Sequence, residues 1–172
     1  MSELTLLLVR HGIAVERDVF TGTDGDRPLT AKGERKTLHV AQRLLEVGVE
    51  GELILSSPLL RARQTAEILL EAGVATELMI SDLLTPVGSF NTWLTWLAHW
   101  RHDHDGTLIL VGHEPNLSHW AEFLLWGKAL GHLQLKKAGI IGLKVPQTDP
   151  VANSQLFWLT SPKFFVTNRS AS

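Results

Sequence analysis

The chain begins with an unbroken apolar run, Leu4-Thr5-Leu6-Leu7-Leu8-Val9, that stops at Arg10-His11-Gly12. A run of this length, bounded by a charge and a glycine, predicts a strand buried on both faces. Leu53-Ile54-Leu55-Ser56 and Thr107-Leu108-Ile109-Leu110-Val111 repeat the pattern, and the latter ends at Gly112-His113. Between these runs the apolar spacing becomes helical. Val40, Ala41, Leu44 and Leu45 predict a helix capped by Thr30, with Pro28 restricting its approach and Gly48 as its stop. Ser57-Pro58 predicts the start of a second helix, with Ser57 as N-cap and Pro58 in the first turn. It runs to about Ala72, with Leu59, Ala62, Ala66, Leu69 and Leu70 on or near its apolar face. Trp93, Trp96, Leu97 and Trp100 fall at i, i+3, i+4 and i+7, and we read them as one core-facing helix stripe. A further helix is expected over residues 116–126. Glu77-Leu78-Met79-Ile80 predicts a short strand, and residues 140–145 and 155–159 predict two closing strands. Residues 21–26 and 85–88 are turn-rich.

Strands alternating with helices predict an α/β protein: a single three-layer α/β/α domain whose central sheet is mostly parallel, with a late antiparallel edge strand. The 172 residues suit one domain, placed at 1–165, without repeat or linker. The small, polar tail at 166–172 is expected to be flexible.

Composition narrows the function more than the fold. The chain is 44% hydrophobic and 20% charged, an ordinary globular balance. A net charge of -2 provides no general attraction to nucleic acid or an anionic membrane, so neither is an expected partner. The absence of cysteine excludes disulfides, thiol catalysis and cysteine-zinc sites. No stretch approaches the ~20 apolar residues of a membrane span. The N-terminal run lacks a basic flank and is interrupted at Arg10-His11, unlike a signal peptide, so a cytoplasmic location is expected.

The chemistry gathers at strand ends. Open α/β sheets bind ligands outside the carboxyl ends of their strands. Arg10 and His11 are expected at one such end, and His113 at another. Arg61 is expected in the first turn of the helix that follows the strand at 53–56. A guanidinium near a helix N-terminus is suited to binding an anion. Cations beside a histidine point to phosphate.

Arg10-His11-Gly12, Arg27-Pro28-Leu29-Thr30, Ser57-Pro58-Leu59-Leu60-Arg61-Ala62-Arg63-Gln64-Thr65-Ala66 and Gly112-His113-Glu114-Pro115 resemble the signatures of the histidine phosphatase superfamily. Their order and spacing are most similar to those of its short, SixA-type branch of phosphohistidine phosphatases. Leu84-Thr85-Pro86-Val87-Gly88 and Leu159-Thr160-Ser161-Pro162 extend the match over nearly the whole chain. The resemblance implies a phosphoglycerate mutase-like fold. It also implies that His11 is the nucleophile, forming a phosphohistidine, and that Arg10, Arg61 and His113 make the phosphate pocket. Gly12 and Arg27 are further candidate phosphate-binding residues, although Arg27 reads more readily as a solvated loop charge.

An attacking imidazole must be neutral. Nearby arginines favour that state, and a hydrogen bond from the other ring nitrogen to backbone fixes the tautomer. The pocket cations take the part a metal plays elsewhere, so neither metal nor cofactor is expected. Two carboxylates, Asp82 and Glu114, are candidates for a general acid, and Glu114 also fits the plain role of a helix-start carboxylate. The short segment between the Arg61 and His113 motifs implies an open site. An open site suits a phosphohistidine-bearing protein in a signalling phosphorelay. The alternatives are a small phosphorylated metabolite as substrate, or a phosphate-binding module without turnover. His99, His102 and His104 form a histidine-rich stretch whose first pair has metal-ligand spacing, but it reads as solvated loop. His39, His119 and His132 read as isolated surface residues.

Overall fold

The structure is a computed structural model and describes residues 3–165. The proposed tail at 166–172 lies outside the described residues. Six strands, β1 (Leu4–Arg10), β2 (Gly51–Ser56), β3 (Ala75–Ile80), β4 (Thr107–Gly112), β5 (Ile140–Val145) and β6 (Gln155–Thr160), form one sheet in the order β3-β2-β4-β1-β5-β6. Strands β1 to β4 are parallel to one another. Strand β5 runs antiparallel to β1, and β6 antiparallel to β5. The late antiparallel element expected from the last two strands is this β5–β6 pair. After α4 (Asn116–Trp126) the chain returns to β1 without a covering helix, so β5 enters in the reverse direction.

Pleat alternation sorts β1 between two cores. Leu4, Leu6 and Leu8 pack with Trp93 and Leu97 of α3 (Phe90–Trp100) and with Leu117, Trp120 and Leu124 of α4. Leu7 and Val9 face the other way, onto Val40, Ala41 and Leu44 of α1 (Ala31–Glu46) and Ala62, Ala66 and Leu69 of α2 (Leu60–Glu71). Helices on both faces leave every central strand doubly buried, which is why these strands read as continuous apolar runs instead of alternating ones.

The Thr30 cap forms as expected, its hydroxyl accepting from Gly33 N at 3.0 Å. The second helix begins later than expected, at Leu60, and Ser57 does not cap it. Ser57 instead continues β2, its N–H donating to Val111 O at 3.0 Å, and its hydroxyl is engaged by His113. Strand β3 starts two residues before the predicted segment, where Ala75 pairs with Gly51. Trp93 is fully buried, whereas Trp96 and Trp100 are half-buried and stack on each other at 6.0 Å. His104 stacks on Trp100 and faces Glu52 at 3.4 Å, while His99 bonds back to Thr95 O.

Candidate active site

Adjacency in the sheet brings the strand-end residues together. β4 lies between β1 and β2, with Arg10 opposite Gly112 and Ser56 opposite Val111. His11 leaves β1 with its N–H on Gly112 O at 3.1 Å. His113 leaves β4 one residue beyond Gly112, and Arg61 sits in the first turn of α2. The imidazoles of His11 and His113 are 5.3 Å apart, centroid to centroid. Arg10, His11, Arg61 and His113 line one open cavity of about 430 Å3, together with Arg17, Asp24, Arg27, Glu114 and Lys137 at its walls and rim.

His11 is 7% exposed, and its Nδ1 contacts Gly12 O at 2.7 Å. A carbonyl only accepts, so Nδ1 carries the proton and Nε2 keeps its lone pair. Burial is the main cause that pushes the His11 pKa down to about 3. The bond to Gly12 partly opposes this, and His113, Arg61 and Arg10 push it further down. The arginines expected to keep this ring neutral are therefore secondary to burial. His113 is held down at about 4 by burial and then by the charge of Arg61. Its Nε2 lies 2.8 Å from Ser57 Oγ.

Among the described residues, four buried side-chain nitrogens have no hydrogen-bond partner, and three belong to this cavity: Arg10 Nε, Arg61 Nε and His113 Nδ1. Unpaired buried donors are costly, most of all on charged groups. Three of them on residues that line one cavity match the acceptor-only oxygens of an oxyanion. A phosphoryl group fits this donor set. Among the described residues, no group of three or more His, Asp or Glu side chains is arranged to hold a metal ion.

Neighbouring groups orient the donors. Arg10 donates from Nη1 to Leu135 O at 3.0 Å. Arg61 is 4% exposed and donates from Nη1 to Asp24 O at 2.8 Å and from Nη2 to Asp24 Oδ2 at 3.2 Å, leaving Nε unpaired. Asp24 also accepts from Arg17 and Arg27, at 3.1 and 2.9 Å. Desolvation opposes its ionisation, but the Arg27 bond and the charges of Arg61, Arg27 and Arg17 hold its carboxyl below the usual range. Arg27 is consequently no solvated loop charge. Its side chain is 13% exposed, and Nη1 donates to Val15 O.

Gly12 does not line the cavity. Its N–H donates to Thr65 Oγ1 at 2.9 Å and its carbonyl accepts from His11, so it orients the imidazole instead of contacting an anion. A Cβ there would lie 2.6 Å from Thr37 Oγ1, so a side chain at this position would displace the buried Thr37 hydroxyl. Asp82 is exposed in a short 3-10 turn and is likewise absent from the cavity lining. Glu114 lines the cavity, and burial raises its carboxyl above the usual range although Ser118 donates to Oε1 at 2.6 Å. The sequence reading missed Asp24, Ser57 and Thr65. Asp24 and Ser57 carry ordinary turn or cap signals and Thr65 lies mid-helix, and only contacts 37, 56 and 53 residues away in the chain give them a place in the site.

Comparison with known proteins agrees with this geometry. The family model of the histidine phosphatase superfamily (branch 1) matches residues 6–84. An uncharacterized protein of Picosynechococcus sp. is 48% identical over 165 residues, covering 95% of this chain and 99% of its own. The chain belongs to the histidine phosphatase superfamily. Its fold is that of the protein histidine phosphatase SixA, solved with tungstate, at a TM-score of 0.83, 23% identity and coverage of 94% of this chain and 99% of that one. The α-ribazole phosphatase of Shigella flexneri shares the fold at a TM-score of 0.72 and 18% identity, over 92% of this chain and 96% of that one.

Proposed function

We propose that this chain is a metal-independent phosphatase that works through a phosphohistidine on His11 and releases phosphate from protein phosphohistidine in a cytoplasmic signalling phosphorelay. Membership of the superfamily supports a phosphatase or mutase-type enzyme. The observation that carries the reading is the set of three unpaired buried nitrogens, two of them guanidinium donors, around a neutral His11 whose Nε2 is free. Nε2 attacks phosphorus, forming an N–P bond as the bond to the leaving nitrogen breaks. Arg10, Arg61 and His113 take the charge that builds on the three equatorial oxygens. The incoming dianion favours protonation of His113, so Nδ1 becomes a charged donor. Water then attacks the phosphohistidine, the N–P bond breaks, the protons of the water stay on the released phosphate, and Nε2 regains its lone pair.

Two features support an N-linked substrate. The site is open, as a side chain displayed on another protein requires. A protonated phosphoimidazole also leaves as neutral imidazole, so it needs little help from an acid. The second reading is a small-molecule phosphomonoesterase. The fold is shared with an α-ribazole phosphatase, and Glu114, raised by burial, is the carboxyl group able to protonate an alkoxide. His11→Ala should abolish turnover, with no labelled phosphate trapped on the chain after an alkaline quench. Full activity in a folded His11→Ala protein would overturn the assignment, as would activity lost in EDTA and restored by a divalent ion. Rates at least about tenfold higher on sugar phosphates than on a phosphohistidine protein would favour the second reading.

A further inference from the structure

Glu122 lies on α4, outside the cavity, and is fully buried. Its two oxygens accept four consecutive backbone N–H groups. Leu130 and Gly131 (2.8 Å) donate to Oε2, and His132 (2.5 Å) and Leu133 (2.8 Å) donate to Oε1. A carboxylate has about four lone-pair sites, so this arrangement saturates it. Among the described residues, these four backbone donors are the hydrogen-bond partners of the Glu122 carboxylate, and no ion pair joins it to a cation. The carboxylate therefore stands in for an anion seated in a backbone nest, with Gly131 at φ +71° supplying the left-handed turn.

The segment so fixed leads straight to the catalytic dipeptide. Leu135, two residues beyond the nest, is 2% exposed and offers its carbonyl to Arg10 Nη1. Ala138 N–H bonds both Arg10 O and His11 O, at 3.0 and 3.1 Å, and Gly139 O accepts Arg10 N–H at 3.2 Å. The stretch from α4 to β5 thus holds Arg10 at its guanidinium and at its main chain. Nothing regular orders residues 130–139, since the segment has neither helix nor strand. Its first half is ordered by the Glu122 carboxylate.

We infer that Glu122 is a positioning residue for phosphate binding: by seating the 130–133 backbone it sets the Leu135 carbonyl that aims the Arg10 guanidinium at the phosphoryl group. The inference rests on the phosphate-site reading above. Gln in place of Glu122 would set an NH2 against two of the four N–H donors and free the segment. With Arg10 present, Glu122→Gln should weaken binding of inorganic phosphate, and lower kcat/KM, by about tenfold. In an Arg10→Ala background the same substitution should change kcat/KM less than about twofold, because the group it aims is gone.

The test is a double-mutant cycle on kcat/KM, joined to calorimetric titration of the intact protein with inorganic phosphate, at a temperature where every variant is folded by circular dichroism. Glu122→Asp, which keeps the charge but not the reach, serves as a second variant and should behave like Glu122→Gln. Equal losses in both backgrounds, or unchanged phosphate affinity in a folded Glu122→Gln protein, would overturn the inference. So would failure of both variants to fold, which would mark Glu122 as purely a folding residue. If the unsubstituted protein itself binds no phosphate, the phosphate-site reading falls instead.

Discussion

Acidification should unfold this protein through its two cavity histidines. His11 and His113 have pKa values of about 3 and about 4 in the fold, against an ordinary value of 6.5. In the unfolded chain each binds a proton as pH falls through 6.5; in the folded chain it does so only near 3 or 4. Between those limits the unfolded state holds more protons, so stability is complete above about pH 7 and declines as pH falls. At pH 5 each buried histidine forfeits about 2 kcal/mol, or about 4 kcal/mol for the pair, relative to pH 7.5. That is a large share of the ~5–15 kcal/mol that holds a domain together. The loss is complete near pH 3–4, where the folded histidines also protonate. The assay is urea unfolding at pH 7.5, 6.5, 5.5 and 5.0 for the unsubstituted chain and for a His11→Asn/His113→Asn double variant. Other titrating groups are common to both, so the difference between the two slopes isolates the pair. Single variants are less informative, because the charge of His113 itself contributes to the low pKa of His11. The double variant should lose less than half as much stability over this range. Parallel loss in both proteins would refute the assignment of two buried neutral imidazoles.

Two further outcomes follow from particular contacts. A Cβ at Gly33 would lie 2.1 Å from Ile13 O and 2.9 Å from Ile13 C, both backbone atoms that cannot yield, so Gly33→Ala should cost more than about 2 kcal/mol in chemical unfolding. A cost under about 0.5 kcal/mol would show that the start of α1 has slack beside His11. Glu114→Gln should reduce turnover of an alkyl phosphate by about a hundredfold while costing protein phosphohistidine less than tenfold, since only the alkoxide needs a proton donor. Equal losses on both substrates would deny Glu114 the part of general acid.

Much of the fold was legible because strands buried on both faces must be continuously apolar, and β1, β2 and β4 are. Helix α1 was equally plain, with a threonine cap and a glycine stop. The start of α2 was not. Ser57-Pro58 carries a genuine helix-start pattern, but Val111 O and the His113 ring claim Ser57 first, so the chain bends at residues 58–59 and the helix begins only at Leu60. Asp82 was a candidate acid only through the resemblance of its segment to the family; its 3-10 turn leaves it in solvent. Arg27 looked solvated because, although Asp24 lies only three residues before it, the carbonyl of Val15 that takes its Nη1 is twelve residues away.

The sequence by itself determined which elements form and that Arg10, His11, Arg61 and His113 sit at strand ends or in the turn after one. These are local properties: side-chain period, caps, and the spacing from a strand to its following turn. The strand order was decided only by the tertiary structure, and the order puts β4 between β1 and β2 and so closes four separate residues into one cavity. It alone decided which nitrogen of each side chain is used up and which is left. Gly12 O takes His11 Nδ1, Asp24 takes Arg61 Nη1 and Nη2, Ser57 takes His113 Nε2, and Leu135 O takes Arg10 Nη1. Hydrogen bonds between residues far apart in the chain leave no periodic trace in sequence, because their partners are brought together by the packing of whole elements.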